Sequence, residues 1–357
     1  MYNCAKEVLG YHDDEVTLPQ SERNEMRERR DANRRRVRSG LEKNKKPKPI
    51  EFCPQGSYAV KTMVQHPERD FDIDDGIYFE KDDLKGANGA EMSALQARQM
   101  VRDAVNDGSF KRAPEARKNC VRVYYNAGYH VDIAVYRRVV TKDLLGREQV
   151  HYELASSDWK RSDARDVTAW FEGENNRQSP DTSNGRQLRR VVREIKKFAQ
   201  SRESWRGLIA SGFMITKLVT ECFSGDAARE DTALYYTMRD VRDRLASNLV
   251  VDHPVTPNET IMKGDSDPKA RFLKEKLSDA LTWLDILFTP ECTREEAYKA
   301  WDKVYNTKYF TDKLPREEKK EAEMEGAPAL LHSGIIRDWS NQTPPSQVRK
   351  EGGGRYA

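Results

Sequence analysis

The segment that most constrains the fold is DFDIDDGIYF, residues 70–79, because it combines a strand-like pattern with four carboxylates. Its apolar residues and closing aromatic pair favour a β-strand, although Asp is disfavoured in strands and neighbouring like charges repel. Side chains two residues apart on a strand point to the same face, so we expect Asp72 and Asp74 to lie together. A strand that carries this pair needs a compensating positive charge beside it, such as a bound cation.

A third carboxylate lies in the segment YHVDIAVY, where Asp132 is surrounded by apolar and aromatic residues. The longer segment NCVRVYYNAGYHVDIAVYRRVV has the pattern of a β-hairpin with its turn at residues 126–128. Such a hairpin could bring Asp132 beside Asp72 and Asp74. Oxygen ligands suit hard cations, and three carboxylates on adjacent strands can hold two Mg²⁺ ions about 3.5–4 Å apart, the separation of two-metal phosphoryl transfer. The sequence therefore predicts a two-metal site at these three residues.

A phosphate-binding turn is predicted upstream, in the segment FCPQGSYAVKT. Gly56 and Ser57 lie there at a turn before an apparent helix start. Glycine lets backbone N–H groups approach a phosphate, the serine hydroxyl can donate a hydrogen bond, and a helix N-terminus favours an anion. The order Gly-Ser, Asp-x-Asp and a distant Asp therefore indicates a phosphate site next to the metal site.

The other two acidic residues of the strand have structural interpretations. Asp70 lies at the strand entrance, and Asp75 alternates to the face opposite Asp72 and Asp74. We expect Asp75 to bond to nearby backbone, and neither Asp70 nor Asp75 to contact metal.

Composition restricts the class of protein without identifying it. Of the 357 residues, 37% are hydrophobic and 34% are charged, which allows a core beneath a densely charged surface. The net charge is only +3, so overall charge does not indicate nucleic-acid binding. The five cysteines form no zinc-spaced pair, and the sequence shows neither a signal-peptide pattern nor a membrane-spanning stretch. We therefore expect a cytoplasmic protein without disulfides or a membrane partner.

A long basic helix is predicted over TLPQSERNEMRERRDANRRRVRSGLEK. Thr17 is the expected cap, with Gln20 in the capping-box position, and Gly40 and the Lys/Pro-rich segment KNKKPKPI mark the expected end. One flank carries four arginines at helical spacing: Arg27, Arg30, Arg34 and Arg38. Three interpretations stay open for this row: a solvated helix face, a basic wall beside phosphates or nucleic acid, or a structural brace.

The chain divides into a mixed α/β half and a helical half. Strand and helix patterns alternate up to Trp170, after which EGENNRQSPDTSNG predicts a polar loop. From Arg186 onward the periodicity is mostly helical. The expected parts are an N-terminal segment, a core that includes the basic helix, a helical lobe and a flexible tail: residues 1–16, 17–170, 171–310 and 311–357.

Together, three segments resemble the bacterial cGAS/DncV-like nucleotidyltransferases (CD-NTases), most closely the DncV branch of cyclic GMP-AMP synthases. The segments are PQGSYAVKTM, FDIDDGIYF and HVDIAVY. Fainter similarity continues through SSDWKRSDARDVTAWF, LRRVVREIKKFAQ and WDKVYNTKYF. The resemblance covers most of residues 52–310. It implies a polymerase-β-like nucleotidyltransferase lobe with a mixed sheet, a C-terminal helical lobe, and an active site in the cleft between them.

The resemblance also implies roles for individual residues. Asp72, Asp74 and Asp132 would form the catalytic and metal-binding triad, with Asp132 near the attacking hydroxyl as a base. The residues that would hold the donor triphosphate are Gln55, Gly56, Ser57, Lys196 and Ser211. Lys197 is an alternative to Lys196, and an ordinary surface lysine is the other alternative at that position.

The implied reaction joins NTPs, ATP and GTP first among them, into a cyclic di- or trinucleotide with two Mg²⁺ or Mn²⁺ ions and release of pyrophosphate. A cyclic GMP-AMP-like messenger that activates a downstream effector in anti-phage defence is the first expectation. Two alternatives stay open: an enzyme that makes linear, oligoadenylate-like products, and a catalytically silent nucleotide or RNA sensor. The sequence lacks the Cys/His zinc insertion of animal cGAS enzymes, which argues against direct activation by double-stranded DNA.

The C-terminal sequence EGGGRYA is similar to the flexible ends that an E1–E2 fusion ligase conjugates in some CD-NTases of type II defence operons. By this resemblance Ala357 would be the conjugated residue, and the glycine run would give it access to the ligase's catalytic centre. A terminal segment without a partner is the alternative.

Overall fold

The structure, a computed structural model, describes residues 1–314 except 67–71, 87, 126–128, 263 and 265. The predictions for Asp70, for the hairpin turn, and for residues 315–357 of the tail with Ala357 lie outside the described residues. The first residues of the predicted flexible tail, 311–314, instead pack on the helical core, where Thr311 Oγ1 donates to Asp302 Oδ2. Within the described part of the chain, no helix is long and apolar enough to cross a membrane.

The acidic segments occupy two neighbouring strands of a mixed sheet. Its seven described strands are β1 (Glu51–Pro54), β2 (Asp72–Glu80), β3 (Glu115–Ala116), β4 (Val121–Tyr124), β5 (His130–Lys142), β6 (Glu148–Ala155) and β7 (Trp159–Arg161). Strands β2 and β5 run parallel, β1 pairs with β2, and β4 and β3 continue the sheet beyond β5. The far half of β5 pairs with β6, and β7 pairs with β6. The expected hairpin is confirmed as the antiparallel pair β4–β5.

Helices pack on the sheet and build the second half of the fold. The described α-helices are α1 (Ala5–Tyr11), α2 (Gln20–Lys43), α3 (Gly56–Ala59), α4 (Ala94–Val105), α5 (Ala164–Gln178), α6 (Gln187–Ala199), α7 (Gly212–Glu221), α8 (Glu230–Ser247), α9 (Pro268–Leu284) and α10 (Arg294–Tyr305). Helices α2 and α4 share one hydrophobic core with the sheet, in which Met26 and Val101 join Ile77 and Val135. Helices α6 to α10 and α1 build another core that includes Trp301. The mixed α/β fold with a helical second half is therefore confirmed.

The long basic helix is confirmed and ends at Lys43, where the KNKKPKPI segment begins, but its expected cap at Thr17 and the expected role of Gly40 are wrong. α2 begins at Gln20 after Pro19 and has no side-chain cap, whereas Thr17 pairs through its backbone with Val64. Gly40 lies inside the helix. A Cβ at Gly40 would come within 2.0 Å of the Ala104 carbonyl oxygen on α4. This glycine therefore permits a close crossing of two helices and does not end one.

The predicted polar loop after Trp170 is also wrong in its first half. α5 runs from Ala164 to Gln178, and Asp163 caps it by accepting the Arg165 N–H at 3.0 Å. Asn175 is buried, accepts the Arg189 N–H at 3.2 Å and donates to the Gly185 carbonyl at 3.2 Å. The polar Asn175 side chain therefore makes hydrogen bonds inside the protein that join α5 to the start of α6. The expected domain boundary at residue 170 falls within this helix, and the expected domains stay predictions.

The arginine row of α2 acts as a brace through three of its members, Arg30, Arg34 and Arg38, whereas Arg27 is exposed. Arg34 donates to both carboxylate oxygens of Asp75, with Nε 2.7 Å from Oδ2. The guanidinium of Arg38 stacks on the Phe52 ring at 4.6 Å, and that of Arg30 lies 5.5 Å from the Tyr58 ring centre. Asp75 therefore pairs with a side chain, and the expectation that it bonds to backbone is wrong. Burial raises the pKa of Asp75, and the Arg34 charge opposes that shift.

Candidate active site

The register of the central strand pair brings the three predicted carboxylates together. Parallel pairing of β2 with β5 places Asp74 opposite Asp132, and Asp72 opposite His130. One carboxylate oxygen from each of Asp72, Asp74 and Asp132 lies within 4.8 Å of the others. The prediction that Asp132 joins the Asp72/Asp74 pair is therefore confirmed in geometry, and the structure supports a metal-binding triad.

The three carboxylates differ in exposure. Asp72 is open to solvent, Asp132 is buried with 8% of its surface exposed, and Asp74 lies between them under α3. Enclosure and the charges of Asp72 and Asp132 raise the pKa of Asp74 to about 7. Three converging carboxylate oxygens form the donor set that a hard divalent cation prefers, and such a cation would relieve this repulsion. The residues therefore fit the expected metal.

Two basic side chains that sequence reasoning missed face the triad. Arg122 on β4 donates from Nε to Asp132 Oδ1 and from Nη2 to Oδ2, both at 2.6 Å, and from Nη2 to Asp72 Oδ2 at 3.3 Å. His130 Nε2 lies 3.4 Å from Asp72 Oδ1, and this contact raises the pKa of His130. Arg122 stands directly opposite Asp132 in the β4–β5 hairpin. The hairpin register is the signal that could have identified it.

The predicted phosphate turn lies against the triad. Gln55 donates its backbone N–H to the Asp74 carbonyl at 3.0 Å, and Gly56 and Ser57 start α3 beside it. Gly56 has φ +59°, and a Cβ there would come within 2.0 Å of Asp74 Oδ2. The Gln55 side chain lies between two tyrosines, accepting from Tyr136 Oη at 3.3 Å. The turn therefore offers its backbone and Ser57 toward the cleft.

Lys196 is a buried cleft residue. Its Nζ donates to Thr62 Oγ1 at 2.8 Å, and burial lowers its pKa to about 7. Lys197 Nζ instead donates to the Gln65 carbonyl at 3.2 Å. The structure therefore places Lys196 beside the expected phosphate site and does not support an ordinary surface lysine there.

Ser211 serves as the cap of α7. Its Oγ accepts the Met214 N–H at 3.2 Å, and the next residue, Gly212, lines the cleft. The Ser211 hydroxyl is therefore committed to the helix start, and its expected contact with triphosphate stays a prediction.

One cleft of ≈ 510 Å³ brings these groups together with aromatic side chains. Asp72, Asp74, Ser57 and Lys196 line it, as do residues that sequence reasoning missed: Ser162, Val167, Thr168, Trp170, Phe213, Thr216 and His253. The cleft thus combines polar groups suited to phosphates with rings that can stack on a nucleobase. The aromatic residues lie far apart along the chain, so no local spacing indicates them.

His253 presents a defined hydrogen-bonding edge in this cleft. Its Nδ1 accepts the Thr256 N–H at 3.0 Å, and burial lowers the pKa of the ring. A neutral ring whose Nδ1 is an acceptor carries its proton on Nε2. The Phe213 ring packs against it with centroids 5.5 Å apart.

Comparison with known proteins identifies the domain that carries the triad. Residues 50–136 match the family described as cyclic GMP-AMP synthase DncV-like, nucleotidyltransferase domain. This range includes the phosphate turn and all three carboxylates.

Solved structures of bacterial proteins have the same fold. Vibrio cholerae DncV, a cyclic AMP-GMP synthase described as a prokaryotic cGAS homologue, is 17% identical with a TM-score of 0.67, over 87% of this chain and 97% of that chain. Escherichia coli DncV with bound 3′-deoxy GTP is 16% identical with a TM-score of 0.62, over 83% and 93%. CdnC of E. coli MS115-1 with ATP is 15% identical with a TM-score of 0.61, over 85% and 98%.

These structural similarities show the fold, and the family match shows the enzyme class. The expected nucleotidyltransferase class is confirmed, while the DncV branch stays a prediction. Residues 50–136 therefore match a DncV-like nucleotidyltransferase domain, and the chain shares the fold of the bacterial DncV and CdnC structures.

Proposed function

We propose that the protein joins ATP and GTP into a cyclic GMP-AMP-like dinucleotide, with release of pyrophosphate, as a second messenger in anti-phage defence. One observation carries the proposal: the carboxylates Asp72, Asp74 and Asp132 converge, and Asp72 and Asp74 line a cleft with the Gly56-Ser57 turn and aromatic side chains. The V. cholerae DncV structures with ATP and GTP, and with the linear intermediate pppApG, support the choice of substrates and a two-step route.

The residues of the site would divide the work between metal binding, proton acceptance and triphosphate binding. Asp72, Asp74 and Asp132 would hold two Mg²⁺ or Mn²⁺ ions, which lower the pKa of the attacking hydroxyl and stabilise the leaving pyrophosphate. Asp132 would accept the proton of the acceptor ribose hydroxyl. The backbone at Gly56, the Ser57 hydroxyl and Lys196 would orient the donor triphosphate, and a second round on the linear product would close the ring.

The cellular role is part of the same proposal. The messenger would activate an effector in an infected cell, and an E1–E2 fusion ligase would attach the enzyme to a target through the C-terminal tail at Ala357. The proposed lobes are residues 17–170 and 171–310, preceded by the segment 1–16 and followed by the tail 311–357. A cytoplasmic location fits a messenger made from cellular NTPs.

The test is incubation with all four NTPs and Mg²⁺ or Mn²⁺, followed by mass spectrometry of the products. We expect a cyclic dinucleotide that resists phosphatase. Linear chains that phosphatase and nuclease P degrade would instead indicate an oligoadenylate-type enzyme. Absence of NTP turnover would favour a silent sensor.

The double variant Asp72→Asn/Asp74→Asn links that product to the triad. We expect it to fold normally and to form no detectable product, because neutral amides cannot replace two ionised metal ligands. The matched control Asp82→Asn/Asp83→Asn changes two exposed carboxylates just beyond the same strand and should keep wild-type turnover. Normal turnover by Asp72→Asn/Asp74→Asn would overturn the assignment.

A further inference from the structure

We propose that Arg122 is a counter-ion that competes with divalent metal for the carboxylate oxygens of Asp132 and Asp72, so that the triad binds free metal weakly. This inference rests on the proposed metal site. It adds a role for a residue of this chain outside the predicted triad. The affinity for metal should therefore be higher with bound nucleotide than without it, because the phosphates supply further ligands.

The hydrogen bonds of Arg122 occupy the oxygens that a metal would need. The guanidinium binds Asp132 through two nearly parallel hydrogen bonds, Nε to Oδ1 and Nη2 to Oδ2, both at 2.6 Å. The same Nη2 lies 3.3 Å from Asp72 Oδ2. Bidentate pairs of this kind between arginine and carboxylate are among the stronger charge-assisted hydrogen bonds. A metal that ligates Asp132 must therefore share these oxygens with the guanidinium or displace it.

The strand register holds Arg122 in this position. Arg122 and Asp132 are cross-strand partners in the antiparallel β4–β5 pair, so their side chains leave the sheet on the same face. The Arg122 side chain is only 19% exposed, and that of Asp132 11%. The pair is thus partly shielded from solvent, and its attraction is screened less than that of an exposed pair.

Charge balance explains why the fold includes this arginine. Ionised carboxylates within 4.8 Å of one another repel, and the Arg122 guanidinium supplies positive charge that offsets this repulsion. A divalent ion would supply more charge at the same place, but it would then lie close to the guanidinium. Like charges at that separation repel, so metal and Arg122 oppose each other for the same oxygens.

The test measures binding of Mn²⁺ alone to the full-length protein, without nucleotide, by calorimetry or by the loss of the free Mn²⁺ resonance signal. We expect Arg122→Met to bind Mn²⁺ about tenfold or more tightly than wild type, because the competing hydrogen bonds are removed. Arg122→Lys keeps the charge without the bidentate geometry, and we expect an intermediate affinity. Adding Asp132→Asn to Arg122→Met should abolish the gain.

Arg112→Met is the matched control for charge. The substitution removes the same charge near β4. Arg112, however, pairs with Glu115 at 2.8 Å and stacks on the Tyr124 ring, away from the triad's hydrogen bonds to Arg122. We expect it to bind Mn²⁺ as wild type does. Equal Mn²⁺ affinity of Arg122→Met and wild type, or an equal gain in Arg112→Met, would overturn the inference.

The melting temperature tests the inference even if Arg122→Met is unstable. Without metal, the unrelieved repulsion should lower its melting temperature, and Mn²⁺ should restore more stability to it than to wild type. Destabilisation that Mn²⁺ does not reverse would count against the inference. Because no step of this test needs NTP turnover, its failure leaves the proposed reaction untouched, and a failed NTP assay leaves this result standing.

Discussion

At the scale of single residues, Gly56 couples the phosphate turn to the triad. Its φ of +59° lies in the region that glycine adopts most readily, and a Cβ would meet Asp74 Oδ2 at 2.0 Å. Because the clash involves a proposed metal ligand, a methyl group here would displace the carboxylate. The turn and the acidic strand therefore act as one unit.

The substitution Gly56→Ala should reduce product formation about 100-fold, since displacement of a reacting group by about 1 Å has an effect of that size. Initial rates at saturating NTP provide the measurement. Gly108→Ala is the control, because Gly108 has φ +83° but no atom within 4 Å of its Cβ position. Both variants share the backbone strain, so equal losses in the two would contradict the role of the Gly56–Asp74 contact.

Lys196 predicts a pH effect on stability. Burial and the nearby charge of Arg193 lower its pKa from 10.5 to about 7. Between these two pKa values Lys196 is protonated in the unfolded chain but not in the native state. The free energy of unfolding therefore rises with pH across this range. The gain is lost as pH falls through about 7.

Removing this group should therefore flatten the pH dependence of stability. We expect Lys196→Met to lower the slope of unfolding free energy against pH by about 1 kcal/mol per pH unit between pH 7.5 and 9.5. Urea titrations across that range measure the slope. Lys303→Met, at an exposed position of α10, is the control and should keep the wild-type slope. An unchanged slope in Lys196→Met would show that Lys196 titrates normally.

At the scale of elements, α2 braces the strand that carries the metal ligands. Arg34 on this helix holds the buried Asp75, which alternates with Asp74 on β2. The brace thus fixes the back of the strand whose front carries the site. We infer that the orientation of Asp72 and Asp74 depends on this helix.

The substitution Arg34→Leu should lower the free energy of unfolding by about 3 kcal/mol at pH 8, because it leaves a buried carboxylate without its partner. The loss should shrink toward pH 5, since the pKa of Asp75 is already raised and protonation removes the unpaired charge. Urea unfolding at both pH values measures this. Arg35→Leu, at an exposed position of the same helix, should change stability by less than about 0.5 kcal/mol. A loss that is equal at both pH values would contradict the brace.

The sequence predicted some elements well and others poorly for identifiable physical reasons. The alternation in β2 and β5 indicated the strands and the triad, because a carboxylate among apolar strand residues needs a partner. The polar second half of α5 hid this part of the helix, since Asn175 makes its hydrogen bonds inside the protein. Arg122 escaped notice because its role depends on the hairpin register, which the turn sets and a single strand pattern does not contain.

At the scale of the whole molecule, the site depends on contacts between distant parts of the chain. Parallel pairing of β2 with β5 joins Asp74 and Asp132, while α6 supplies Lys196 from the helical half. Local patterns predict neither the strand order nor the aromatic lining at Trp170 and Phe213, because both arise from long-range packing. The resemblance of the short acidic motifs to a known family supplied the overall arrangement.

The most direct test of the central claim is product formation from ATP, GTP and Mg²⁺ by wild type and by Asp132→Asn, read by mass spectrometry. As the folding control, the melting temperatures of the two proteins are measured without metal, and they should be equal. The account predicts a phosphatase-resistant cyclic dinucleotide from wild type and none from Asp132→Asn. Wild-type amounts of product from a folded Asp132→Asn variant would contradict it.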